Sequence, residues 1–518
     1  MTPWWRDAVI YQIYPRSFLD TNGDGVGDLP GVTARLDYLG WLGVDAIWLN
    51  PVMPSPDTDW GYDVSDYREV HPVLGTLADL DDLLAGAHAR GLRVLLDLVP
   101  NHTSAAHPWF QDARRRDWYV WADPAPDGGP PNNWCSLFGG GPAWTLDPST
   151  GRYYLHSFLP SQPDLNWFNE EVRRAFDGLL RFWLDRGVDG FRIDVAAGMI
   201  KDRELRDNPP AEPHDHAVVR ALGQRQRFNM DRPEVHDVLR RWRTILDAYP
   251  HQPVLLGEAY VLEPERLLAY YGNGADELHL TFDFTLLHAP LQARALRAAI
   301  EGAAGFEPRD VWPAIAGSNH DAGRLATRWA GGDEDLTRCA LMLVLLLRGT
   351  AVLYYGDELG LETAEIPDHE RRDPGSDAEG IGGRDGSRTP IPWCDAPGAG
   401  FTAPGVRPWL PFGQRAGRDC ATQRADAGSV LSFTRALLAL RREHAALRNC
   451  AQQLLDAPPE VLAWRRGADY EIWLNLGPTP QAVALRGEIL LSSRPDAWEL
   501  NELAPRAGIV TRRTSRRL

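Results

Sequence analysis

Cysteine is scarce in this sequence and follows no recognisable pattern. The 518 residues include five cysteines, and no two of them are spaced as C-x-x-C. An odd number of scattered cysteines argues against a disulfide framework and against a zinc site. We therefore expect reduced thiols and a cytoplasmic protein.

Long apolar runs are also missing. The longest, Cys339–Leu347, covers about half of the length that a transmembrane helix needs. Met1–Arg6 lacks the basic stretch and apolar core of a secretory signal. We expect no membrane partner.

Basic residues are outnumbered by acidic ones. The chain has 54 Lys and Arg against 71 Asp and Glu, which gives a net charge of −17. A surface of this sign repels nucleic acid and anionic membranes. The charge therefore argues against both as partners and suits a soluble enzyme that acts on neutral substrates.

Short apolar runs alternate with amphipathic helical stretches over most of the chain. Eight runs are apolar on both faces, as expected for parallel strands that are covered by helices. These are Ala8–Tyr14, Ala46–Leu49, Arg93–Leu98, Gly190–Ile193, Val254–Gly257, Glu277–Leu280, Ile315–Gly317 and Ala351–Leu353. Eight strand–helix units predict an α/β fold, a (β/α)8 TIM barrel.

Two stretches interrupt this alternation. Residues 103–167 are rich in Pro, Gly, Asn and aromatic residues, and predict a loop-rich domain inserted after strand three. Residues 360–425 carry Pro, Gly and Asp clusters and predict a long excursion after strand eight. We therefore expect the catalytic barrel to consist of residues 1–102 and 168–450.

The C-terminal part predicts a separate antiparallel β domain, a sandwich over residues 451–518. Its short apolar runs are Leu454–Trp464, Tyr470–Leu476, Ala482–Leu485 and Ile489–Ser492. The last eight residues, Thr511–Leu518, include four arginines and are expected to be disordered.

Three carboxylates each follow a short apolar run, and their spacing is that of barrel strands. They are Asp194, Glu258 and Asp321. The C-terminal ends of barrel strands face the active site, so the three acids are expected to meet there. Arg192 shares a strand face with Asp194 and would keep it ionised, whereas the apolar surroundings of Glu258 favour a proton donor. Taken singly, each acid could instead cap a helix or form a structural ion pair.

Taken together, the segments resemble a known family. Four of them match signature segments of the α-amylase family, glycoside hydrolase family 13: Asp97–His102, Gly190–Asp194, Glu258 and Asn319–Asp321. Gln162–Asn166 and the opening Ile10–Phe18 are similar to the oligo-1,6-glucosidase and α-glucosidase branch. The resemblance covers almost the whole chain.

The resemblance implies roles for these residues. Asp194 would be the nucleophile, Glu258 the general acid and base, and Asp321 the third carboxylate. His102 and His320 would bind sugar hydroxyls, and Asp97 would support the site. Either histidine could instead be a residue of the barrel core whose hydrogen bonds are all made within the protein.

In α-glucosidases of the family, an aspartate pairs with an arginine across the closed end of the pocket. The resemblance assigns the aspartate to Asp63 and the arginine to Arg388, with Arg384 as the alternative. Tyr62 would stack on the glucose ring, and Phe158 would add a wall or belong to the core.

An oxygen-rich loop follows the first strand. Its residues Asp20, Asn22, Asp24, Val26 (through its carbonyl) and Asp28 occupy alternate positions, as in a calcium loop. Gly31 stands where an EF-hand has Glu, so the loop is not an EF-hand, but it matches the metal loop of the same branch. We expect a structural Ca²⁺ or Mg²⁺ here, although a turn without metal is the alternative, and no organic cofactor.

The resemblance implies an exo-acting, retaining α-glucosidase that removes glucose from short oligosaccharides. Val195, next to the nucleophile, is typical of α-1,6 preference, whereas Gly198–Pro210 looks more like maltose-active enzymes. An oligo-1,6-glucosidase is the alternative, followed by a sucrose- or trehalose-active transferase or isomerase. A non-enzymatic binding subunit is disfavoured because all three carboxylates are present. We expect a monomer or a small homo-oligomer.

Overall fold

The computed structural model describes residues 2–138, 141–307, 309–374 and 383–513. In these residues the strands, in chain order, are β1 (Val9–Ile13), β2 (Ala46–Leu49), β3 (Arg93–Leu98), β4 (Trp121–Ala122), β5 (Trp144–Asp147), β6 (Arg152–Leu155), β7 (Gly190–Ile193), β8 (Val254–Gly257), β9 (Leu280–Phe282), β10 (Pro313–Ala316), β11 (Thr350–Tyr354), β12 (Gln452–Leu454), β13 (Val461–Arg466), β14 (Tyr470–Asn475), β15 (Gln481–Ala482), β16 (Glu488–Ser492), β17 (Trp498–Glu499), β18 (Glu502–Leu503) and β19 (Ala507–Arg512).

The α-helices of the same residues are α1 (Trp4–Asp7), α2 (Leu29–Ala34), α3 (Leu36–Leu42), α4 (Leu77–Ala89), α5 (Pro108–Gln111), α6 (Glu170–Asp185), α7 (Ala217–Leu222), α8 (Val235–Leu246), α9 (Pro264–Leu267), α10 (Phe284–His288), α11 (Ala293–Gly302), α12 (Leu325–Arg328), α13 (Glu334–Leu346), α14 (Cys420–Ala425), α15 (Val430–Glu443) and α16 (Ala446–Asn449). Throughout the described ranges, every helix is too short or too polar to cross a bilayer.

Eight parallel strands close into a barrel, which confirms the predicted fold. Their order around the barrel is β1-β11-β10-β9-β8-β7-β3-β2, so neighbours in sequence are neighbours in space. The sixth strand was predicted over Glu277–Leu280, but in the structure it is β9 and begins at Leu280. Glu277 lies before the strand because its buried carboxylate accepts hydrogen bonds from His236 and Arg240 of α8.

The barrel carries apolar residues on both faces of its strands. A small cluster that includes Ile10, Trp48 and Leu256 joins inward-facing side chains, and a much larger cluster packs the strands against the surrounding helices. Because both faces are dry, charged groups on the strands must find partners inside the barrel. Arg192 and Asp97 are two such groups, and both are 1% exposed.

Gly190 allows β7 and β8 to approach each other at the start of the fourth barrel strand. Its φ is +150°, and a Cβ placed on it would lie 2.3 Å from the carbonyl oxygen of Val254. A larger residue would push β7 away from β8. The glycine therefore helps to place the two strands that end next to Asp194 and Glu258.

Between β3 and β7, the strands β4, β5 and β6 form a three-stranded antiparallel sheet. This sheet lies within the segment that was predicted to be an inserted domain. Its small core contains Trp134, Trp144 and Leu155.

The C-terminal part contains a five-stranded sheet, β12-β13-β14-β19-β16, and a three-stranded sheet, β15-β18-β17. All of these pairs are antiparallel, and residues of both sheets share one apolar core that includes Trp473, Val483 and Leu503. The antiparallel domain is thereby confirmed.

Two local predictions in this part were wrong. Leu454–Trp464 is two strands, β12 and β13, because Pro458 and Pro459 lack the N–H groups that a continuous strand would need. The expected disorder from Thr511 onward is contradicted at Thr511 and Arg512, which pair with β14. Residues 514–518 lie outside the described residues.

Candidate active site

One guanidinium organises the floor of the site. Nη1 of Arg192 lies 2.9 Å from Oδ1 of Asp97 and 2.6 Å from Oδ1 of Asp194, and Nη2 lies 2.7 Å from Oε2 of Glu258. The residue is 1% exposed, and its guanidinium sits 5.2 Å from the centre of the Trp48 ring. The ends of β3, β7 and β8 therefore bring three carboxylates to one cation.

The predicted contact between Arg192 and Asp194 is present, but Arg192 also contacts two other carboxylates. Burial raises the pKa of Asp194 well above its ordinary value, and Glu258 and Asp97 raise it further, although Arg192 opposes them. Burial also raises the pKa of Glu258. One guanidinium faces three buried carboxylates, so the proton affinities of Asp194 and Glu258 depend on each other.

Asp97 lies at the bottom of this cluster and is turned away from solvent. Its Oδ2 accepts hydrogen bonds from the Tyr62 hydroxyl at 2.9 Å and the Trp48 indole at 3.3 Å. Burial raises the pKa of Asp97 to about 6, with Arg192 opposing. All of these contacts are with protein groups. Asp97 is therefore positioned to bind Arg192 and not to react with a substrate.

His320 connects the floor to the third carboxylate. Its Nδ1 faces the Gln12 amide nitrogen at 2.9 Å, so Nδ1 accepts and Nε2 carries the hydrogen. Nε2 lies 2.5 Å from the Tyr62 hydroxyl and 3.1 Å from Oδ2 of Asp321. Burial lowers the pKa of His320 well below its ordinary value, so the ring is a neutral donor at pH 7.

Asp321 is the most exposed of the three candidate catalytic acids. Its side chain is 38% exposed, against 15% for Glu258 and 8% for Asp194. Oδ1 of Asp321 lies 3.1 Å from Nη1 of Arg384 and 3.0 Å from Nη2 of Arg388. Burial alone would raise the pKa of Asp321, but His320 and the two guanidiniums hold it well below its usual range. Asp321 is therefore a fixed negative charge at the open side of the cluster.

The predicted pair between Asp63 and an arginine is corrected by the structure. The carboxylate of Asp63 is buried and accepts hydrogen bonds from the Ser55 hydroxyl at 2.5 Å and from the backbone N–H groups of Thr58 and Asp59, both at 3.1 Å. It is Asp59 that meets Arg384, at 2.6 Å. Asp63 therefore stabilises its own loop through hydrogen bonds, and Asp59 forms the ion pair with Arg384.

Arg384 and Arg388 have different tasks. Nη2 of Arg384 bridges Asp59 and Asp373, at 2.6 and 2.7 Å, while its Nη1 reaches Asp321. Arg388 is 0% exposed, donates from Nε to the backbone oxygen of His320 at 2.8 Å, and uses Nη2 for Asp321. Arg384 therefore links Asp59 and Asp373 to Asp321, and Arg388 holds the segment that contains His320 and Asp321.

The inserted segment supplies another wall. His102 is 2% exposed, its Nε2 lies 3.1 Å from the backbone oxygen of Tyr62, and its ring lies 5.2 Å from that of Phe158. Gln162, in the predicted branch motif, bridges His102 and Asp59. Phe158 is half-buried, as is Phe138, whose ring lies 4.8 Å from the Arg384 guanidinium.

Val195 adopts an unusual conformation directly after Asp194. Its φ and ψ are both 44°, in the left-handed region that β-branched residues rarely occupy. Its side chain is half-buried, and its N–H donates to Oε2 of Glu258 at 3.1 Å. The residue therefore touches the general-acid candidate through its backbone.

The oxygen-rich loop lies apart from this cluster. Both carboxylate oxygens of Asp20 accept hydrogen bonds from loop N–H groups, at 2.7–3.1 Å, and Asp28 caps α2 through the N–H of Gly31. Within the described residues, no group of three or more His, Cys, Asp or Glu side chains has the geometry of a metal site. The all-oxygen donor set fits a hard cation chemically, and the metal stays a prediction.

Sequence reasoning missed several groups that the structure brings together. Gln12 and Trp48 lie in predicted strands and Asp373 in the long excursion, but the sequence assigned none of them, nor Asn50, to the site. Asp59 stands in the same short segment as Asp63, but spacing alone does not reveal which carboxylate turns to the site. Polarity inside an apolar strand, as at Gln12, was the available signal.

Comparisons with known proteins find similarity over most of the chain. The family described as alpha amylase, catalytic domain, matches residues 12–450. A probable alpha-glucosidase of Rhizobium meliloti (strain 1021) is 44% identical over 490 residues, which is 89% of this chain and 87% of the relative. An oligo-1,6-glucosidase of Heyndrickxia coagulans is 37% identical over 500 residues, 88% of each chain.

Solved structures are equally similar. The alpha-glucosyl transfer enzyme XgtA has a TM-score of 0.90 and 43% identity over 99% of this chain and 100% of that chain. The trehalulose synthase MutB from Pseudomonas mesoacidophila MX-45 has a TM-score of 0.89 and 33% identity, with the same coverage.

Proposed function

The chain belongs to the α-amylase family, and from that premise we propose that it is a retaining, exo-acting α-glucosidase. It releases glucose from the non-reducing ends of short α-glucosides of the maltose type, through a covalent glucosyl-aspartate. Relatives named alpha-glucosidase and oligo-1,6-glucosidase support hydrolysis of α-glucosides.

The observation that carries the proposal is the shared guanidinium of Arg192. It lies 2.6 Å from Asp194 and 2.7 Å from Glu258, so the two carboxyl groups contact one cation, and we propose that they share one proton. A retaining glycosidase needs two such carboxyl groups, one ionised and one protonated, on either side of the scissile bond.

The two steps of the reaction follow from this pair. A carboxylate oxygen of Asp194 attacks the anomeric carbon as the glycosidic bond breaks, and Glu258 gives its proton to the departing oxygen, which leaves as an alcohol. Glu258, now ionised, takes a proton from water, and the water oxygen displaces Asp194 from the anomeric carbon. Two displacements return the original anomeric configuration.

Asp321 contributes by binding. It is a fixed anion, held at Oδ1 by Arg384 and Arg388 and at Oδ2 by His320. Glucose hydroxyls that donate to Asp321 become better donors as positive charge builds on the sugar ring. The contact is therefore stronger in the transition state than in the ground state, and this lowers the barrier.

The ion pair between Asp59 and Arg384 supports exo action. It joins the loop after β2 to the segment after β11, and Gln162 ties Asp59 to the inserted segment. Such a bridge closes one side of the sugar site, so a chain could not extend beyond the terminal glucose. We assign Tyr62, His102 and Phe158 to the walls of this glucose site.

An oligo-1,6-glucosidase is the alternative function, favoured by Val195 and by the relative of that name. A second alternative is glucosyl transfer, in which a sugar replaces water in the second step. The similarity to an alpha-glucosyl transfer enzyme favours it. Both alternatives use the same first step.

We also propose that the loop formed by residues 20–28 holds a structural Ca²⁺ or Mg²⁺. The oxygens of Asp20, Asn22, Asp24, Val26 and Asp28 would bind it, and the ion would stiffen the loop after β1. For its location we propose the cytoplasm. All five cysteines are unpaired, which supports a reducing compartment.

Product analysis tests the proposed function. The protein is incubated with maltose, isomaltose, sucrose, trehalose and p-nitrophenyl α-glucoside, and the first product is followed by proton NMR. We expect glucose from maltose, α-glucose as the first anomer from p-nitrophenyl α-glucoside, and loss of turnover in Asp194→Asn. The aryl glucoside releases a single glucose, so initial release of β-glucose from it would contradict retention. The absence of turnover with all five compounds would reject the hydrolase.

A further inference from the structure

The turn after Asp194 brings a backbone donor to the acid/base carboxylate. Oε2 of Glu258 receives the N–H of Val195 at 3.1 Å and lies 2.7 Å from Nη2 of Arg192. Both donors reach the same oxygen. An oxygen that accepts two N–H groups is a poor place for a proton, so the proton of the acid form belongs on Oε1.

The left-handed conformation of Val195 is what turns its N–H towards Glu258. The next residue, Ala196, donates its N–H to the backbone oxygen of Glu258 at 2.9 Å. Two successive N–H groups that point to one residue need a sharp bend between them, and φ and ψ of 44° at Val195 provide it. A β-branched residue takes this conformation only where the surroundings enforce it.

The surroundings do enforce it. The N–H of Gly198 donates to the backbone oxygen of Val195 at 2.8 Å, and a Cβ on Gly198 would lie 2.6 Å from Cγ1 of Val195. The buried ammonium of Lys201 donates to the backbone oxygen of Gly198 at 2.5 Å and is itself held by Asp164 at 2.9 Å. The bend is therefore held by a hydrogen bond to Val195 itself and by the ion pair that fixes Gly198 through Lys201.

We propose that Val195 is a positioning residue for the general acid: its backbone N–H fixes Oε2 of Glu258 and thereby makes Oε1 the oxygen that carries the catalytic proton. This role is separate from any influence of the Val195 side chain on linkage, and it rests on the proposed glycosidase function. A purely structural role of the turn would change stability without changing proton donation.

Replacing one backbone amide by an ester tests the proposal with every side chain kept. 2-Hydroxy-3-methylbutanoic acid is inserted at position 195 of the full chain by amber suppression in cell-free translation, which replaces the N–H of Val195 by an ester oxygen. The matched control is lactic acid at position 196, which removes the hydrogen bond to the backbone oxygen of the same Glu258. Thermal melts establish that both proteins are folded.

The direction of the pH effect follows from the hydrogen bond. The N–H stabilises ionised Glu258, so its loss raises the pKa of the acid. We expect the basic limb of kcat/KM in the 195 ester to move up by about 1–2 units, as for the loss of one hydrogen bond to a charged group. The 196 ester should keep the wild-type profile.

Dependence on the leaving group gives a second readout. A weaker and less well placed acid harms substrates whose leaving group needs a proton. We expect the 195 ester to lose about 10-fold more activity on maltose than on p-nitrophenyl α-glucoside. Equal losses on both substrates together with an unshifted pH profile would overturn the proposal.

Failure of this inference can be distinguished from failure of the proposed function. If wild-type protein cleaves none of the substrates, the glycosidase proposal fails. The Glu258 carboxyl can then be titrated by ¹³C NMR, with its signal assigned by its absence in Glu258→Gln. A pKa that is raised in the 195 ester and unchanged in the 196 ester supports the positioning role, and an unchanged pKa in both rejects it.

Discussion

Arg384 is bound to Asp59 and not to its neighbour Asp63. Nη2 of the arginine lies 2.6 Å from Oδ1 of Asp59, and both side chains are buried. The pair links two segments of the site that are 325 residues apart. It therefore fixes the distance between the loop after β2 and the segment that carries Arg384.

This pair predicts opposite behaviour for two aspartates that are four residues apart in the sequence. Asp59→Asn should lower kcat/KM for maltose by about 10–100-fold, mainly through KM, because a charge-assisted contact at the glucose site is lost. Asp63→Asn, the matched control, should mainly lower the free energy of unfolding, because its loop hydrogen bonds are disturbed. Steady-state kinetics and urea denaturation of both variants separate the two effects. A larger kinetic loss in Asp63→Asn would return the role to Asp63.

Glu258→Gln should uncouple the two chemical steps. The amide cannot donate the required proton, so turnover of maltose should fall by about 10²–10⁴-fold. p-Nitrophenyl α-glucoside needs little protonation and should still glucosylate Asp194. Mass spectrometry of the intact protein should then show one added glucosyl group, located on the peptide that contains Asp194. No trapped adduct on any peptide would argue against the covalent intermediate.

Asp357 predicts a pH-dependent stability outside the reacting groups. It is 1% exposed, accepts from the Ser318 hydroxyl at 2.6 Å, and burial raises its pKa to about 7. The folded state therefore holds a proton that the unfolded chain releases near its ordinary pKa, so stability falls as pH rises towards 7.

Urea denaturation at pH 5 and pH 8 measures this effect. Between these values the wild type should lose about 2 kcal/mol from this group, whereas Asp357→Asn, which mimics the protonated form, should show a flatter dependence. Equal slopes for both proteins would show that Asp357 is ionised in the folded state at both pH values.

The loop formed by residues 20–28 predicts stabilisation by calcium. At a concentration about a hundred times Kd, Ca²⁺ should add about 2.7 kcal/mol to the free energy of unfolding, seen as a higher Tm that EDTA reverses. Asp24→Ala should abolish the shift and the binding heat in calorimetry. Asp368→Ala, at an acid whose side chain is 90% exposed, serves as the control and should keep both. If adding Ca²⁺ to metal-free wild-type protein leaves its Tm unchanged, the site is rejected.

Lys201 predicts a large stability effect from a buried ion pair. Its Nζ lies 2.9 Å from Asp164 and 3.0 Å from the Asn101 amide oxygen, and the side chain is 4% exposed. Lys201→Met leaves the Asp164 charge buried and unpaired, which should cost about 3–5 kcal/mol. The double variant with Asp164→Asn should be more stable than the single variant, and chemical denaturation measures the difference. Additive losses would mean that the two groups are not coupled.

The barrel and the strand-end carboxylates could be predicted from the sequence because both depend on local pattern. Apolar runs, helical spacing and period-two alternation are properties of neighbouring residues. They place Arg192 on β7, Asp194 directly after β7 and Glu258 directly after β8. The family resemblance added roles for these residues, which experiment has to test.

Charges and partners were decided only by the tertiary structure. Three contacts between distant segments show this. Arg192 contacts three carboxylates, Arg384 pairs with Asp59 and not with Asp63, and the N–H of Val195 donates to Glu258. The pKa of a group depends on its burial and on all charges around it, and spacing in the sequence contains neither. Local pattern thus determined where the acids stand, and the packing of loops from different strands decided which groups each acid contacts.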